Sequence, residues 1–510
     1  MNLDDREPGK GYEWMALSVT TIGALLASIQ GSALIIGLPD ILVNLKADFL
    51  TAIWVLLAYL LVTTAVVPVI GRLADMFGRK NLYNAGFAIF TLGSLLAGFV
   101  HPRFHGADLI AARVIQGMGG ALLFANSAAI VTDAFRHGRI GLGLGVNQIA
   151  AAAGFVLGPV VGGLLTAVNW RLIFLVNVPL GVLGTVWGIW RLREPERLPA
   201  GQHFDLWGSL TFTIGLGALL LGLSLTAFPA GGPLLPYALI GASAAVLAAF
   251  VLIERRTAEP MLDFGLFRHR LFTLANLAGG LNGLARGAVL FLLTFFLQGP
   301  YGRNPLQAGI LTAPFGLAFL AVGPFSGYLS DRHGSRGLAT AGLLVSSVGL
   351  LGLATVTSST SYPLLALYMV LMGGGSGLFS SPNTNAIMSS VSAARRGIAS
   401  ATSIMLNNTG QMFSITIAFP LVLSRIPQDV MFHIFLYGGG MESAPGALQA
   451  FESGLHRAFL VSFAITIVAA AASFLRPSRE MPPEGAPEPR HQSKPAPKAP
   501  RSVDSSFRSS

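Results

Sequence analysis

The chain has 510 residues, of which 53% are hydrophobic and 11% charged, with no cysteine and a mean hydropathy of +0.64. An average soluble domain carries roughly 25% charge, so a soluble enzyme and an extended disordered chain are both disfavoured. The lack of cysteine removes disulfides, iron–sulfur clusters and thiolate metal sites, and the net charge of +10 has to be placed loop by loop before it says anything about partners. Residues 1–14 carry acid where a secretory signal has a basic start, so they are expected as a short tail and the first apolar stretch as a retained span.

A bilayer-spanning helix needs about 20 mostly apolar residues. Such stretches fall at 15–38, 51–70, 82–100, 107–134, 141–168 and 170–190, which predicts a six-helix N-terminal bundle over 15–192. A linker over 193–270 holds two more spans, at 206–226 and 235–253. Six further spans, at 271–297, 306–329, 337–357, 362–390, 397–423 and 456–476, predict a C-terminal bundle over 271–476 with an outer loop at 424–455. Residues 477–510, rich in Pro, Ser and Arg, have no apolar period and are expected as a disordered tail. The fold class expected is an all-α polytopic membrane protein with fourteen transmembrane helices, two bundles of six plus two linker helices.

Fourteen spans put both termini on one side. With the N-terminus inside, the internal loops hold sixteen cations, from Arg72 to Arg396, and the external ones six: Lys46, Arg103, Arg171, Arg303, Arg425 and Arg457. The positive-inside rule then places both tails in the cytoplasm, and the expected location is the cell's inner (plasma) membrane. The Lys and Arg lie in short tracts between apolar runs, so the basic charge needs no nucleic acid.

The two halves repeat at a constant offset of 256. GRLADMFGRK (71–80) aligns with GYLSDRHGSR (327–336), and the same offset carries five spans of one half onto five of the other and pairs Gly117 with Gly373, Gly141 with Gly397 and Gly154 with Gly410. Two like-oriented repeats are the arrangement of transporters that rock two halves around a midplane site.

These residues resemble the major facilitator superfamily, and within it the fourteen-helix drug:proton antiporter branch. Gly71, Leu73, Asp75, Gly78, Arg79 and Lys80 match its loop between helices 2 and 3, with a weaker copy from Asp331 through Arg332 to Arg336. Arg113, Gln116 and Gly117 match the RxxQG pattern of helix 4, and Gly154, Gly158, Pro159, Gly162 and Gly163 the GxxxGPxxGG pattern of helix 5, which is associated with exporters. NWRLIFLVNVPLG (169–181) and ALQAFESGLHRAF (447–459) look like the entries to helix 6 and the last helix of that branch. The 2–3 loop reads either as a conformational latch or as a tight turn with positive-inside markers. The helix 5 glycines read as packing devices, and the resemblance adds a hinge or outer seal.

No acid among the 23 lies mid-span, and only Arg113 and Arg286 are read as ionisable groups well inside spans. The offset takes Gln30 to Arg286, and the resemblance, under which the first helix of each half lines the cavity, puts the two opposite each other around a substrate path. Arg286 is read as a cavity residue, against an alternative in which backbone carbonyls and amides such as Asn282 satisfy it. At 1.5 Å per residue Gln30 lies about 12 Å and Arg113 about 9 Å from the outer ends of their spans, close enough to hydrogen-bond. Arg113 with Gln116 is read equally as a clamp between helices 1 and 4 and as a coupling group. The branch usually has an aspartate where Gln30 stands, and a neutral amide exchanges no proton near neutral pH.

The expectation is a secondary active exporter of drugs or amphipathic small molecules by alternating access, working as a monomer without cofactor. A lipid or anionic-amphiphile translocator, a uniporter and a non-transporting membrane sensor are the alternatives. There is no GxxxxGK[ST] phosphate loop and no cluster of His, Asp and Glu at one depth that a membrane enzyme would need.

Overall fold

In a computed structural model of the protein, residues 11–135, 140–193, 205–227, 232–257, 260, 262–391, 395–423 and 445–477 are described. Helices α1 (Tyr12–Leu45), α2 (Phe49–Phe77), α3 (Arg79–Gly98), α4 (Ala107–Ala134) and α5 (Ile140–Val168) are followed by a one-turn α6 (Leu172–Leu175) and α7 (Asn177–Arg191). The linker holds α8 (Leu206–Ala227) and α9 (Leu235–Glu254). The second half comprises α10 (Arg270–Arg286), α11 (Val289–Gln298), α12 (Pro305–Leu311), α13 (Ala313–His333), α14 (Ser335–Leu353), α15 (Tyr362–Ser389), α16 (Arg396–Leu423) and α17 (Pro445–Phe474). We call the face where the described chain begins and ends proximal, and the opposite face distal.

The repeat reaches the helix boundaries. Shifted by 256, the ends of α2, α3, α4 and α5 coincide within a residue with those of α12–α13, α14, α15 and α16. Both copies of the proximal 2–3 turn close on a glycine in the left-handed half of backbone space, Gly78 at φ 91° and Gly334 at φ 84°, where a side chain would be strained. Each bundle packs alike: α1 on α5, α2 on α4 and α3 on α4 and α7 in the first, α10 on α16, α13 on α15 and α14 on α15 and α17 in the second.

The copies differ where the second half is broken. The counterpart of α1 is split at Gly287 and Ala288, where Ser414 Oγ of α16 accepts the Ala288 N–H at 2.9 Å. The counterpart of α2 is split at Thr312, two residues before Pro314, which has no N–H for a helical bond. The last helix starts at Pro445, so residues 445–455 of the expected outer loop are helical; 424–444 and the tail from 478 lie outside the described residues.

Among the described residues, twelve helical segments are long and apolar enough to cross a membrane, two fewer than the sequence-based count. The helices outside that set are α3 and α16. Arg79, Lys80, Asn81 and Asn84 dilute the first, and Arg396, Asn407, Asn408 and Gln411 the second. Leu92, Leu96 and Phe99, Leu183 and Trp190, and Val348 are exposed on the outside of the bundles, which suits a surface in contact with lipid tails.

Candidate functional site: a central gap closed at its distal end

Among the described residues, the main contacts that join the two bundles fall into three sets, each towards the distal end. In the first, α5 packs on α12 and α13: Gly163 faces the Pro305 carbonyl, Gly309 faces the Pro159 carbonyl, and Gly316 faces Val156. A Cβ at Gly163 would lie 2.5 Å from the Pro305 oxygen, so the close approach requires glycine. In the second, α2 packs on α16. There Phe419 stacks against Phe49 of α2 and Phe291 of α11, with ring centroids 5.6 and 4.8 Å apart, and Phe295 lies 6.0 Å away. All four rings are at most 2% exposed and form an apolar plug. In the third, Gln298 donates from Nε2 to the Ile36 carbonyl at 2.8 Å, tying α11 to α1. By contrast α10, the proximal half of the same interrupted helix, packs on α15, α16 and α17 of its own bundle.

Arg286 sits just proximal to this closure, as the last residue of α10 at the helix break. Its guanidinium lies 5.7 Å from the centroid of Phe319 on α13, one turn below the Phe155–Phe315 contact between bundles. Among the described residues it has no hydrogen-bond or ion-pair partner. Asn282, one turn back, is buried and does not bond to it, so the reading in which amides satisfy this arginine is not what the structure contains. A polar strip runs beside α10: Gln411 donates to Asn407 at 2.7 Å, and Asn407 to the Gly279 carbonyl at 3.1 Å. Gly31 of α1 and Gly323 of α13 look onto open space.

Gln30 does not face Arg286 across a path. It is fully buried, and its side-chain oxygen accepts from Asn177 Nδ2 of α7, inside the N-terminal bundle. Nor does it bond Arg113. That arginine, 1% exposed, donates from Nε to the Val55 carbonyl at 3.1 Å and from a terminal nitrogen to Gln116, and lies 4.3 Å over the Tyr59 ring. Gln116 passes the network on to Ser94 Oγ at 2.8 Å. The clamp therefore joins α4 to α2 and α3 rather than to α1. One-sequence depth arithmetic gives height along a helix but not azimuth, which decides the partner.

The other singled-out residues divide between bundle interior and surface. Gly154, Gly158 and Gly162 lie against α1 at Leu25 to Ser28, Ser32 and Ala33, while Gly163 and Pro159 meet the other bundle. At the proximal turn Arg79 forms a salt bridge of 2.6 Å with Asp133 at the end of α4. Arg332 lies over the Tyr328 ring and Arg336 over that of Phe474 on α17. The surroundings of Gly71 and the side chains of Asp75 and Asp331 fall outside what is described, and Lys80 is half-buried.

Several residues escaped the sequence reading. Arg476, at the end of α17, is 1% exposed; it donates to Asn383 Oδ1, and its Nε and Nη1 have no partner. The repeat offset could have hinted at it: Tyr83 hydrogen-bonds back to the Val19 and Thr20 carbonyls, whereas its counterpart is Ala339, which has no polar group, so the second bundle satisfies this region differently. Asn177 lies within the quoted 169–181 stretch but is not singled out there, and the four-phenylalanine plug carried no sequence signal, since aromatics at those spacings read as ordinary packing.

These contacts define a polytopic helical membrane protein made of two repeated bundles that, among the described residues, meet towards their distal ends. The Major Facilitator Superfamily profile matches residues 20–254 and 275–509, and the chain belongs to that family of transporters. It is 31% identical over 76% of its length to the riboflavin transporter RibZ of Clostridioides difficile (strain 630), 83% of which is covered. It is 28% identical to the multidrug transporter protein MdtP of Bacillus subtilis (strain 168), over 85% of this chain and 79% of that one. With the tetracenomycin C resistance and export protein of Streptomyces glaucescens it shares 25% identity over 94% of both chains. Among solved structures, a bacterial homologue of the lysosomal transporter Spinster, in an inward-facing unoccupied conformation, has a TM-score of 0.65 at 16% identity, covering 92% of this chain and 97% of that one.

Proposed function

We propose that this protein is a secondary active exporter of amphipathic small molecules that works by alternating access. Its fourteen helices cross the plasma membrane, α3 and α16 included, with both termini in the cytoplasm. The proximal face is then cytoplasmic, and the state described here is open to the cytoplasm. The observation that carries the reading is the one-sided closure: the bundles meet at the glycines of α5 and at the phenylalanine plug, while α10 stays with its own bundle. Rocking about that distal contact would exchange one opening for the other. Arg286 and Asn282 belong to the cavity wall, Gln30 and Asn177 to the interior of the N-terminal bundle, Arg113 and Gln116 to a clamp, and Gly78, Arg79 and Gly334 to the proximal latch.

Because residue 30 is a neutral amide, proton coupling runs through an acid at a span end, Asp40, Asp75, Asp133 or Asp331, or through a protonated substrate. The chain acts as a monomer, transports rather than catalyses, and has no nucleic-acid partner. The names of the relatives support both drug-like and riboflavin-like substrates. The test is a proteoliposome screen containing riboflavin and aromatic drugs, with and without an imposed pH gradient. Substrate flux driven by the gradient supports an antiporter, flux indifferent to it a uniporter, and no flux of any compound a sensor.

A further inference from the structure

The central gap holds one cation and, among the described residues, no charge to balance it. Arg286 ends α10 at the break between α10 and α11, so it sits near the middle of the interrupted helix rather than within reach of either surface. An arginine keeps its charge, and a guanidinium out of water is tolerated when it is paired or faces a wet cavity. Among the described residues, the contact of its guanidinium is with the face of Phe319. Its nitrogen atoms are not among the buried groups cut off from any partner, in contrast to Arg476, whose Nε and Nη1 are. The group is therefore both unpaired and reachable.

Three further features decide what it receives. The position equivalent to Arg286 in the first repeat is Gln30, turned into the N-terminal bundle and held by Asn177, so the repeat supplies no second polar head opposite. The strip beside it, Gln411 and Asn407, is made of neutral amides that already bond to each other and to the Gly279 carbonyl. Beside it is the Phe319 ring, and the packing that closes the bundles distal to it is aromatic: Phe315 on Phe155, then the plug of Phe291, Phe295 and Phe419. One fixed positive charge under an aromatic roof matches a ligand with one anionic group on a flat apolar body.

We infer that Arg286 is the anion-recognition residue of this cavity, binding the carboxylate, sulfonate or phosphate of an aromatic amphiphile while Phe319 holds its ring system. The inference rests on the transporter reading for its consequence in flux, but not for binding. A guanidinium offers two parallel N–H donors to a carboxylate, which a lysine ammonium does not. The same charge disfavours lipophilic cations, because bringing a second positive charge into a water-poor cavity beside it is repulsive.

Two dyes of one xanthene frame test this on the full-length protein: fluorescein, an anion, and rhodamine 123, a cation. Fluorescence anisotropy in detergent reads binding, and dye movement across proteoliposomes reads flux. The expected result is at least tenfold tighter binding of fluorescein than of rhodamine 123 by the wild type. Arg286→Ala loses that preference and Arg286→Lys recovers part of it, with both variants eluting and melting like the wild type. Equal fluorescein binding by the wild type and Arg286→Ala overturns the inference, as does a wild type that prefers rhodamine 123 or binds neither dye. Arginine-dependent binding without flux would uphold the inference and count against the transporter reading alone. Should Arg286→Ala fail to fold, Phe319→Leu and Arg286→Gln carry the same comparison.

Discussion

Gln30 and Arg286 occupy the same position in the two repeats and have opposite environments: Gln30 is fully buried against Asn177, and Arg286 ends a broken helix with no hydrogen-bond partner among the described residues. The repeat fixes their depth in common. What separates them is the break at Gly287 and Ala288, which the first repeat lacks, and the Asn177 side chain that α7 presents to Gln30.

If Gln30 is structural, Gln30→Leu should leave substrate flux within about twofold of the wild type. Removing one partner of a buried hydrogen bond costs about 1–3 kcal/mol, so Asn177→Leu alone should lower the melting temperature. The double variant Gln30→Leu with Asn177→Leu should regain part of the loss, since neither amide is then left unpaired. Thermal unfolding of the purified protein checks both, and a flux defect in Gln30→Leu with unchanged melting would return Gln30 to the cavity.

Arg113 and Arg476 are both buried, but their replacement by methionine should have different results. Arg113 is tied to the Val55 carbonyl and Gln116 and lies on Tyr59, so Arg113→Met should destabilise by about 3 kcal/mol. Arg476 has one hydrogen bond and two unpaired nitrogens, and replacing a poorly satisfied buried charge by an apolar group of similar length is often neutral or stabilising by about 1 kcal/mol or more. Melting temperatures of the two variants, measured side by side, decide it.

Gly163→Ala should weaken the distal closure, because the added Cβ meets backbone of the opposite bundle at Pro305 rather than a side chain that can turn away. Since the chain has no cysteine, Leu306→Cys can be placed at this contact as a sole label. A membrane-impermeant maleimide should react with it several-fold faster in the Gly163→Ala background. Gly154→Ala, which faces α1 within the same bundle, should not raise that rate.

The Arg79–Asp133 pair is about a quarter exposed on both sides, so its contribution to stability is small, about 1 kcal/mol or less, and falls with added salt. A latch and a plain turn then differ in flux rather than melting. For a latch, Asp133→Asn should slow transport several-fold with little change in melting temperature, and the charge swap Arg79→Asp with Asp133→Arg should restore part of the rate.

How far the sequence could be read follows from the periods involved. The offset of 256 read from the sequence relates the helix ends of the two halves to within a residue in four helix pairs, because turns such as Gly78 and Gly334 impose the same positive φ in both copies. Hydropathy found the apolar helices, and its count exceeds theirs by α3 and α16, whose polar residues lower their apolar content. It also missed that α17 begins at Pro445, since a helix whose first turns carry Gln449 and Glu452 has no apolar signal there.

Residence in a bilayer, the repeat of the two halves and the turns that must be glycine all follow from the residues alone, because they depend on composition and on local backbone geometry. So does the restriction of ionisable groups deep in the spans to arginines, without a carboxylate. Packing in three dimensions settled the rest: which of the repeat-related residues is buried and which is bare, that Arg113 clamps α4 to α2 and α3, and that the bundles close on Gly163 and Phe419. Those outcomes depend on the azimuth of each side chain about its helix and on which neighbour packs behind it, and a residue's place along the chain encodes neither.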